Sequence, residues 1–409
     1  MPPIKISPAL ILITCFLFWQ IGQQFISALS WGHDSFQMTE CLINYSGGFV
    51  RRGLAGSVVM TLSKWVGVQA NQLMVIAGFL FYFLLLAWLL IKATRVFPAV
   101  LILSCIIMGF PAYQDCIVRK DCLGLLLFIA CLKVDGSQLP RIGAFFVINL
   151  LASAAILIHE GFAFYALPAL VLFRPADSAS FTPMVLLRRG LALLPSIGCF
   201  GLTTFFHGTP QIANAVNKSW LPLWKIIDPG KSGLEYPSGA IQALGWTSQE
   251  GMSPGLNLLT SGIYQPTIWA ALFAISFVII VLFTNRDANH DALPEMKEKI
   301  RIAALLIMQF IFISPLFVLG HDYGRWLFFW AASSLILHTA RRQAPHWVEA
   351  WVTHGFSKAK VSHYIRSIPA KDYYLLFFGV PVCWNIPSFL IASPLTRHLQ
   401  LLWSWFWVH

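Results

Sequence analysis

Charge is what this sequence has least of. Only 11% of its 409 residues are Asp, Glu, Lys or Arg, against 57% hydrophobic and 14% aromatic, with a mean hydropathy of +0.69. That balance lies outside the range of soluble domains and predicts a membrane protein with no separate soluble domain. Missing too is any metal-binding pattern: the eight cysteines show no C-x-x-C or Cys/His spacing, so no ligand motif indicates a divalent cation, and cofactors are left unassigned. Cys15, Cys105, Cys131, Cys199 and Cys383 fall inside apolar runs, where a thiol is ordinary packing, whereas Cys116 and Cys122 flank a short polar loop and have the spacing for a disulfide. No small-residue cleavage site follows the apolar core of "MPPIKISPALILITCFLFWQIGQQF", which reads as an uncleaved first span. No convincing internal repeat is visible.

Acids are scarcer than bases, 17 against 28, which gives a formal net charge of +11. The basic residues are spread between apolar segments and form no patch, which argues against nucleic acid as a partner and for the lipid bilayer. What the chain does have is a succession of apolar runs near the roughly 20 residues needed to cross that bilayer. They predict an all-α, polytopic helical bundle, one transmembrane domain over 1–409, of about eleven spans: 9–29, 72–91, 97–114, 122–133, 142–158, 161–173, 190–206, 262–284, 302–320, 326–340 and 373–392. With the N-terminus inside, the outer loops are 30–70 and 207–261 and the larger cytoplasmic ones 285–301 and 341–371. Of the 28 Lys and Arg residues, 18 then lie inside and 10 outside, as the retention of basic loops in the cytoplasm requires. The least regular stretch is 142–173, read as a hairpin broken at Gly161 so that Arg141 and Arg174 share one side; a single tilted helix would invert everything after it. Leu54, Val58, Leu62 and Trp65 recur at helical spacing after the first outer loop, as in an in-plane amphipathic helix.

On this topology the polar clusters that interrupt apolar sequence all reach the outer face, although they lie up to about 290 positions apart. Ionisable residues at such depths are functional candidates by default. In "NYSGGFVRRGLAG", Arg51 and Arg52 stand in a turn that opens the in-plane helix; they suit a phosphate or pyrophosphate, or else snorkel to lipid headgroups. In "DCIVRKD", Asp121 is placed to N-cap the following helix, Asp115 and Arg119 are spaced to pair, and Arg119 and Lys120 add charge for an anion. "HEGF" lacks the second histidine of a zinc-protease motif, but His159 and Glu160 are placed to orient a hydroxyl or accept its proton, or to lock two helices together. In "GHDYGRW", His321, Asp322 and Arg325 form either a binding turn beside an interfacial Trp326 or a local ion pair at i, i+3. Asp34 and Glu40, in the first outer loop, are candidate general bases or solvated loop acids. Trp220, Trp224, Tyr236 and Trp246 in the long outer loop are candidates for stacking on sugar rings, or are interface anchors.

An acid in the first outer loop (Asp34 or Glu40), a following in-plane helix at 54–66, outer basic residues Arg51, Arg52, Arg119, Lys120 and Arg325, and a long outer loop at 207–261 together resemble the type C glycosyltransferase fold and the related O-antigen polymerases and ligases. The resemblance is architectural and covers the whole chain, but "HDS" stands where several of these families carry an adjacent acidic pair or a D-x-D. It implies a multi-pass protein of the bacterial inner membrane that transfers a sugar or glycan from a polyprenyl-phosphate carrier. Asp34, Glu40, His159 and Glu160 would then be catalytic, and Arg51, Arg52, Asp115, Arg119, Lys120, Asp121, His321, Asp322 and Arg325 substrate-binding. A transporter or flippase of lipid-linked glycan is the alternative.

Overall fold

The structure is a computed structural model that describes residues 7–31, 35–175, 182–220, 239–246, 250, 257, 266–284, 292–320, 322–358, 373–378, 395, 399 and 403. It is all-α apart from one two-residue antiparallel ladder. The helices run α1 (Pro8–Leu29), α2 (Phe36–Cys41), α3 (Gly53–Val66), α4 (Ala70–Lys92), α5 (Ala99–Leu103), α6 (Gly109–Tyr113), α7 (Asp121–Asp135), α8 (Arg141–Ile158), α9 (Phe162–Tyr165) and α10 (Leu167–Leu172). They continue as α11 (Pro183–Ala192), α12 (Leu194–Phe205), α13 (Pro210–Trp220), α14 (Gly239–Gln242), α15 (Pro266–Phe283), α16 (Ala292–Ile313), α17 (Leu316–Leu319), α18 (Tyr323–Thr339), α19 (His346–Lys358) and α20 (Tyr374–Phe377). Strands β1 (Arg174–Pro175) and β2 (Arg342–Gln343) pair with Arg174 opposite Gln343. Local chemistry sets the ends: α1 starts where Ser7 Oγ accepts the Leu10 N–H at 3.2 Å and Pro8 needs no partner for a missing donor.

Four helical segments among the described residues are long and apolar enough to cross a membrane: Pro8–Leu29, Ala70–Arg95, Arg141–Ile158 and Met296–Leu319. The pair α11 and α12, bent by 56°, makes a fifth if it counts as one span. The fold is therefore compatible with a membrane protein. Ile26, Ile142, Leu150, Phe205 and Val318 keep two thirds or more of their surface exposed, as side chains that face hydrocarbon do. α18 is the opposite case. Every residue from Tyr323 to His338 is buried, so it is the central helix of the bundle.

The expected span at 97–114 is not one helix. It breaks between α5 and α6, where Ser104 turns extended at φ −68° and ψ 166° and the Met108 N–H reaches back to Ile102 O. Such a break is tolerable only where protein satisfies the freed carbonyls. Tyr82 of α4 donates to Met108 O at 2.8 Å, and Gln24 of α1 donates to Pro111 O at 2.9 Å. Other expected spans fall short for different reasons: α7 has 15 residues and α18 has 17, both unbroken and inside the bundle, and the expected span at 373–392 lies mostly outside the described residues.

The hairpin expected at 142–173 is present. α8 ends at His159, whose backbone turns extended, and the chain returns through α9 and α10 to β1. β1 meets β2, and Asp135 at the end of α7 binds both Arg189 and Arg342. One end of the bundle thus gathers the ends of α7, α10 and α18 with the start of β2. The other gathers the starts of α3, α7 and α18 with the end of α8.

Candidate functional site

The site begins with the turn that carries the two arginines. Asn44 fixes it, donating to Leu42 O at 3.1 Å and to Ser219 Oγ at 3.0 Å while its Oδ1 accepts the Ser46 N–H at 2.9 Å. The glycines explain how closely this turn lies on α3. A Cβ at Gly56 would sit 2.0 Å from Ile43 O, and one at Gly53 would sit 2.2 Å from the Tyr45 ring. Arg52 is forced into the left-handed region at φ 65°, costly for a side chain of its size, and Lys120 Nζ donates to its carbonyl at 3.1 Å. The exposed stripe of α3 is Val58, Leu62 and Trp65, while Gly53, Gly56, Val59, Met60 and Ser63 face inward.

Around the turn, side chains from five segments form one ionic network. Glu40 of α2 is its centre and is fully buried. It accepts from Arg119 Nε at 2.9 Å and from Arg52 Nη1 at 3.1 Å; His159 Nε2 lies 3.3 Å away and Arg325 Nη2 3.9 Å away. Arg52 Nε also donates to both oxygens of Glu160, at 2.8 and 2.9 Å. Arg325 forks onto Asp121, with Nε at 2.7 Å, and stands over the rings of Trp326 and Phe329. Asp322 accepts from Arg119 at 3.3 Å and from Arg325 at 3.4 Å. The Gly161 N–H donates to His159 Nδ1 at 2.9 Å, while His159 Nε2 lies between Glu40 Oε1 at 3.3 Å and Arg325 Nη2 at 3.1 Å.

Five cations (Arg51, Arg52, Lys120, Arg119, Arg325) face four carboxylates (Glu40, Glu160, Asp121, Asp322). Burial works against ionisation of Glu40, but the guanidiniums of Arg119 and Arg325, the His159 hydrogen bond and Arg52 outweigh it and hold the carboxyl well below the usual range. Burial pushes the neighbouring Cys41 thiol up to about 12, so it is a weak donor to Val118 O and no nucleophile. Arg51 is the least engaged cation. Its guanidinium lies 3.9 Å from Glu160, its Nε is buried without a hydrogen-bond partner, and its side chain keeps 32% exposure.

The residues singled out in the sequence distribute unevenly. Glu40, Arg51, Arg52, Arg119, Lys120, Asp121, His159, Glu160, Asp322 and Arg325 come together, whereas Asp34, His321, Trp224 and Tyr236 lie outside the described residues. Asp115 is exposed, in a left-handed turn at φ 53°, and the guanidinium of Arg119 is taken by Glu40 and Asp322. Asp121 does not cap α7: it is the first helical residue and spends its carboxylate on Arg325. Trp220 is buried, donating to Leu42 O at 3.1 Å, so it packs where exposure was expected; Trp326 is buried instead of interfacial. Cys116 and Cys122 are both free and buried. Among the described residues no group of three or more His, Cys, Asp or Glu side chains is placed to hold a metal ion.

Sequence reasoning missed Gln24, which props the broken span, although a glutamine inside an apolar helix was the signal. It also missed Asp135, the lone acid at the basic end of α7.

Fold and site together define an all-α chain, compatible with a membrane protein, with a buried ionic network at one end of its bundle. No protein-family model, curated protein or solved structure matches the chain.

Proposed function

We propose that the chain is a multi-pass glycosyltransferase of the bacterial inner membrane, of about eleven spans, that moves a sugar or glycan from a polyprenyl-phosphate carrier at the outer face in surface-polysaccharide assembly. The observation that carries this reading is the ionic network, one cation in excess, at the ends of apolar helices beside the amphipathic helix α3, with Arg51 incompletely paired at its rim. A lipid phosphate is the anion that a guanidinium in that position suits. In the reaction an acceptor hydroxyl attacks the anomeric carbon, the bond from that carbon to the phosphate oxygen breaks, and the lipid phosphate leaves with the electron pair. A carboxylate takes the hydroxyl proton.

Burial distributes the roles. Glu40, enclosed and held ionised by its arginines, positions Arg52 and Arg119. Glu160 and Asp322 are both 19% exposed; Glu160, closest to Arg51 though both its oxygens accept from Arg52, is the network carboxylate assigned the proton, with Asp34 the candidate from the preceding loop. Asp322 orients Arg119 and Arg325. The test is a transfer assay on purified protein with a lipid-linked glycan donor, comparing wild type with Asp34→Asn and Glu160→Gln and measuring donor binding separately. One amide should lower transfer by about 10² to 10⁴ with binding retained. If the purified chain forms no glycosidic bond but carries labelled lipid-linked glycan between leaflets, it is a transporter of that lipid.

A further inference from the structure

The end of the bundle opposite the ionic network has a second polar cluster that the proposed reaction does not use. Asp135 binds Arg189 at 3.1 Å and also Arg342. Arg189 is anchored further by Leu170 O at 3.0 Å and Phe173 O at 3.4 Å, through Nε and Nη2, which leaves Nη1 without a hydrogen bond among the described residues. Arg342 donates to Leu132 O at 2.7 Å, and its buried Nε has no partner. Lys133, Arg188 and Arg341 stand one or two positions from these residues and are exposed.

An apolar groove of about 370 Å³ between α10 and α12 begins at Leu193, four residues past Arg189. Leu167, Pro168, Val171, Leu172, Leu193 and Ile197 line it. Leu193 is one helical turn beyond Arg189, and Leu170, whose carbonyl Arg189 holds, belongs to the helix that forms the other wall. The outer surface next to the groove is apolar as well, with Leu187, Leu191 and Leu194 each more than half exposed. α11 leaves α12 at 56°, as a helix does when it turns from the hydrocarbon into the headgroup layer.

We propose that this end binds an anionic phospholipid, its phosphate on Arg189 and Arg188 within the field of Arg342, and one acyl chain in the groove between α10 and α12. Either feature alone is ordinary. A cation cluster would take any anion, and an apolar groove any alkyl chain. Only a molecule with a negative head joined to a long apolar tail satisfies both at the distance that one helical turn sets.

The test uses the full chain, purified in neutral detergent and stripped of lipid, then titrated with phosphatidylglycerol, phosphatidylcholine or glycerol phosphate and read by native mass spectrometry and by unfolding temperature. Phosphatidylglycerol should bind at least tenfold tighter than phosphatidylcholine, and glycerol phosphate should give no shift. Arg188→Gln with Arg189→Gln should abolish the preference between headgroups, whereas Val171→Trp, which fills the groove, should weaken retention of both lipids. Equal retention of the two lipids by the wild type would overturn the proposal, as would a shift from glycerol phosphate matching that from phosphatidylglycerol. Should the arginine pair prove too destabilising to purify, Arg188→Gln alone and Val171→Trp decide: undiminished phosphatidylglycerol binding in both overturns it.

Discussion

Replacing Glu40 by glutamine removes one negative charge from a pocket into which three guanidiniums and an imidazole point. The side chain is fully buried and its partners Arg119 and Arg325 are 6% and 2% exposed, so solvent cannot take over the lost charge. Removing one member of a buried ion pair leaves the other uncompensated, a loss of about 3–5 kcal/mol. Glu160→Gln should lose less, about 1.5–3 kcal/mol, because Glu160 and Arg52 reach solvent at 19% and 21%. The buried thiols of Cys41, Cys105, Cys116, Cys122 and Cys131 provide the assay: in detergent they react with a thiol dye only as the chain opens. The decisive variant pairs Glu40→Gln with Arg119→Met. If the two residues balance each other, the double variant should lose about 1–3 kcal/mol less than the sum of the singles. Strict additivity, or a Glu40→Gln protein as stable as wild type, would refute the account of the network.

The pH dependence follows in sign. Glu40 titrates below its unfolded value of about 4.3, so its stabilisation is complete above that value and is lost as pH falls through the folded pKa. The difference in unfolding temperature between wild type and Glu40→Gln should be flat from about pH 8 to 5 and shrink only below about pH 4. Gly56→Ala should destabilise by about 1–3 kcal/mol or more, since its Cβ meets Ile43 O at 2.0 Å, and Gly22→Ala, with open space around it, should not; both are read by the same thiol assay. Arg51→Ala should leave the thiol assay within about 0.5 kcal/mol of wild type and weaken use of a lipid-phosphate donor, with Arg51→Lys restoring part of it. Reporters fused after Lys133, Arg189 and Arg342 should all read the same side, opposite to one after Asp115; a split among the three would refute the two-ended arrangement.

The elements that the sequence located best are those where an apolar run stops at a charge or a glycine. α4 was expected at 72–91 and is Ala70–Lys92, α8 at 142–158 and is Arg141–Ile158, and α3 at 54–66 and is Gly53–Val66. Lys92, Arg141 and Gly67 mark those ends chemically. The break within 97–114 had a local signal that the apolar run masked: Gly109 and Pro111 stand inside it, and a Cβ at Gly109 would sit 2.7 Å from Ser104 O; what no local reading can anticipate is Gln24 and Tyr82, whose bonds satisfy the freed carbonyls. The gathering of polar segments at one end was legible because few alternatives exist for charges on apolar helices. Their long-range partners were not: adjacency in sequence suggested Asp322 with Arg325, which is present, but not Asp121 on Arg325 or Glu40 on Arg119, which lie about 200 and 80 positions apart.

α7 carries an acid as its first residue and another as its last. Asp121 holds Arg325 near the start of α18, and Asp135 holds Arg342 just past its end. The two helices therefore run side by side, in the same direction, pinned at both ends over roughly 20 Å. A pair fastened in this way can neither slide nor pivot without releasing both ion pairs, the one at Asp121 fully buried and the one at Asp135 partly so, and it behaves as a strut. Any opening that admits a ligand must therefore leave this pair in place and move other elements against it.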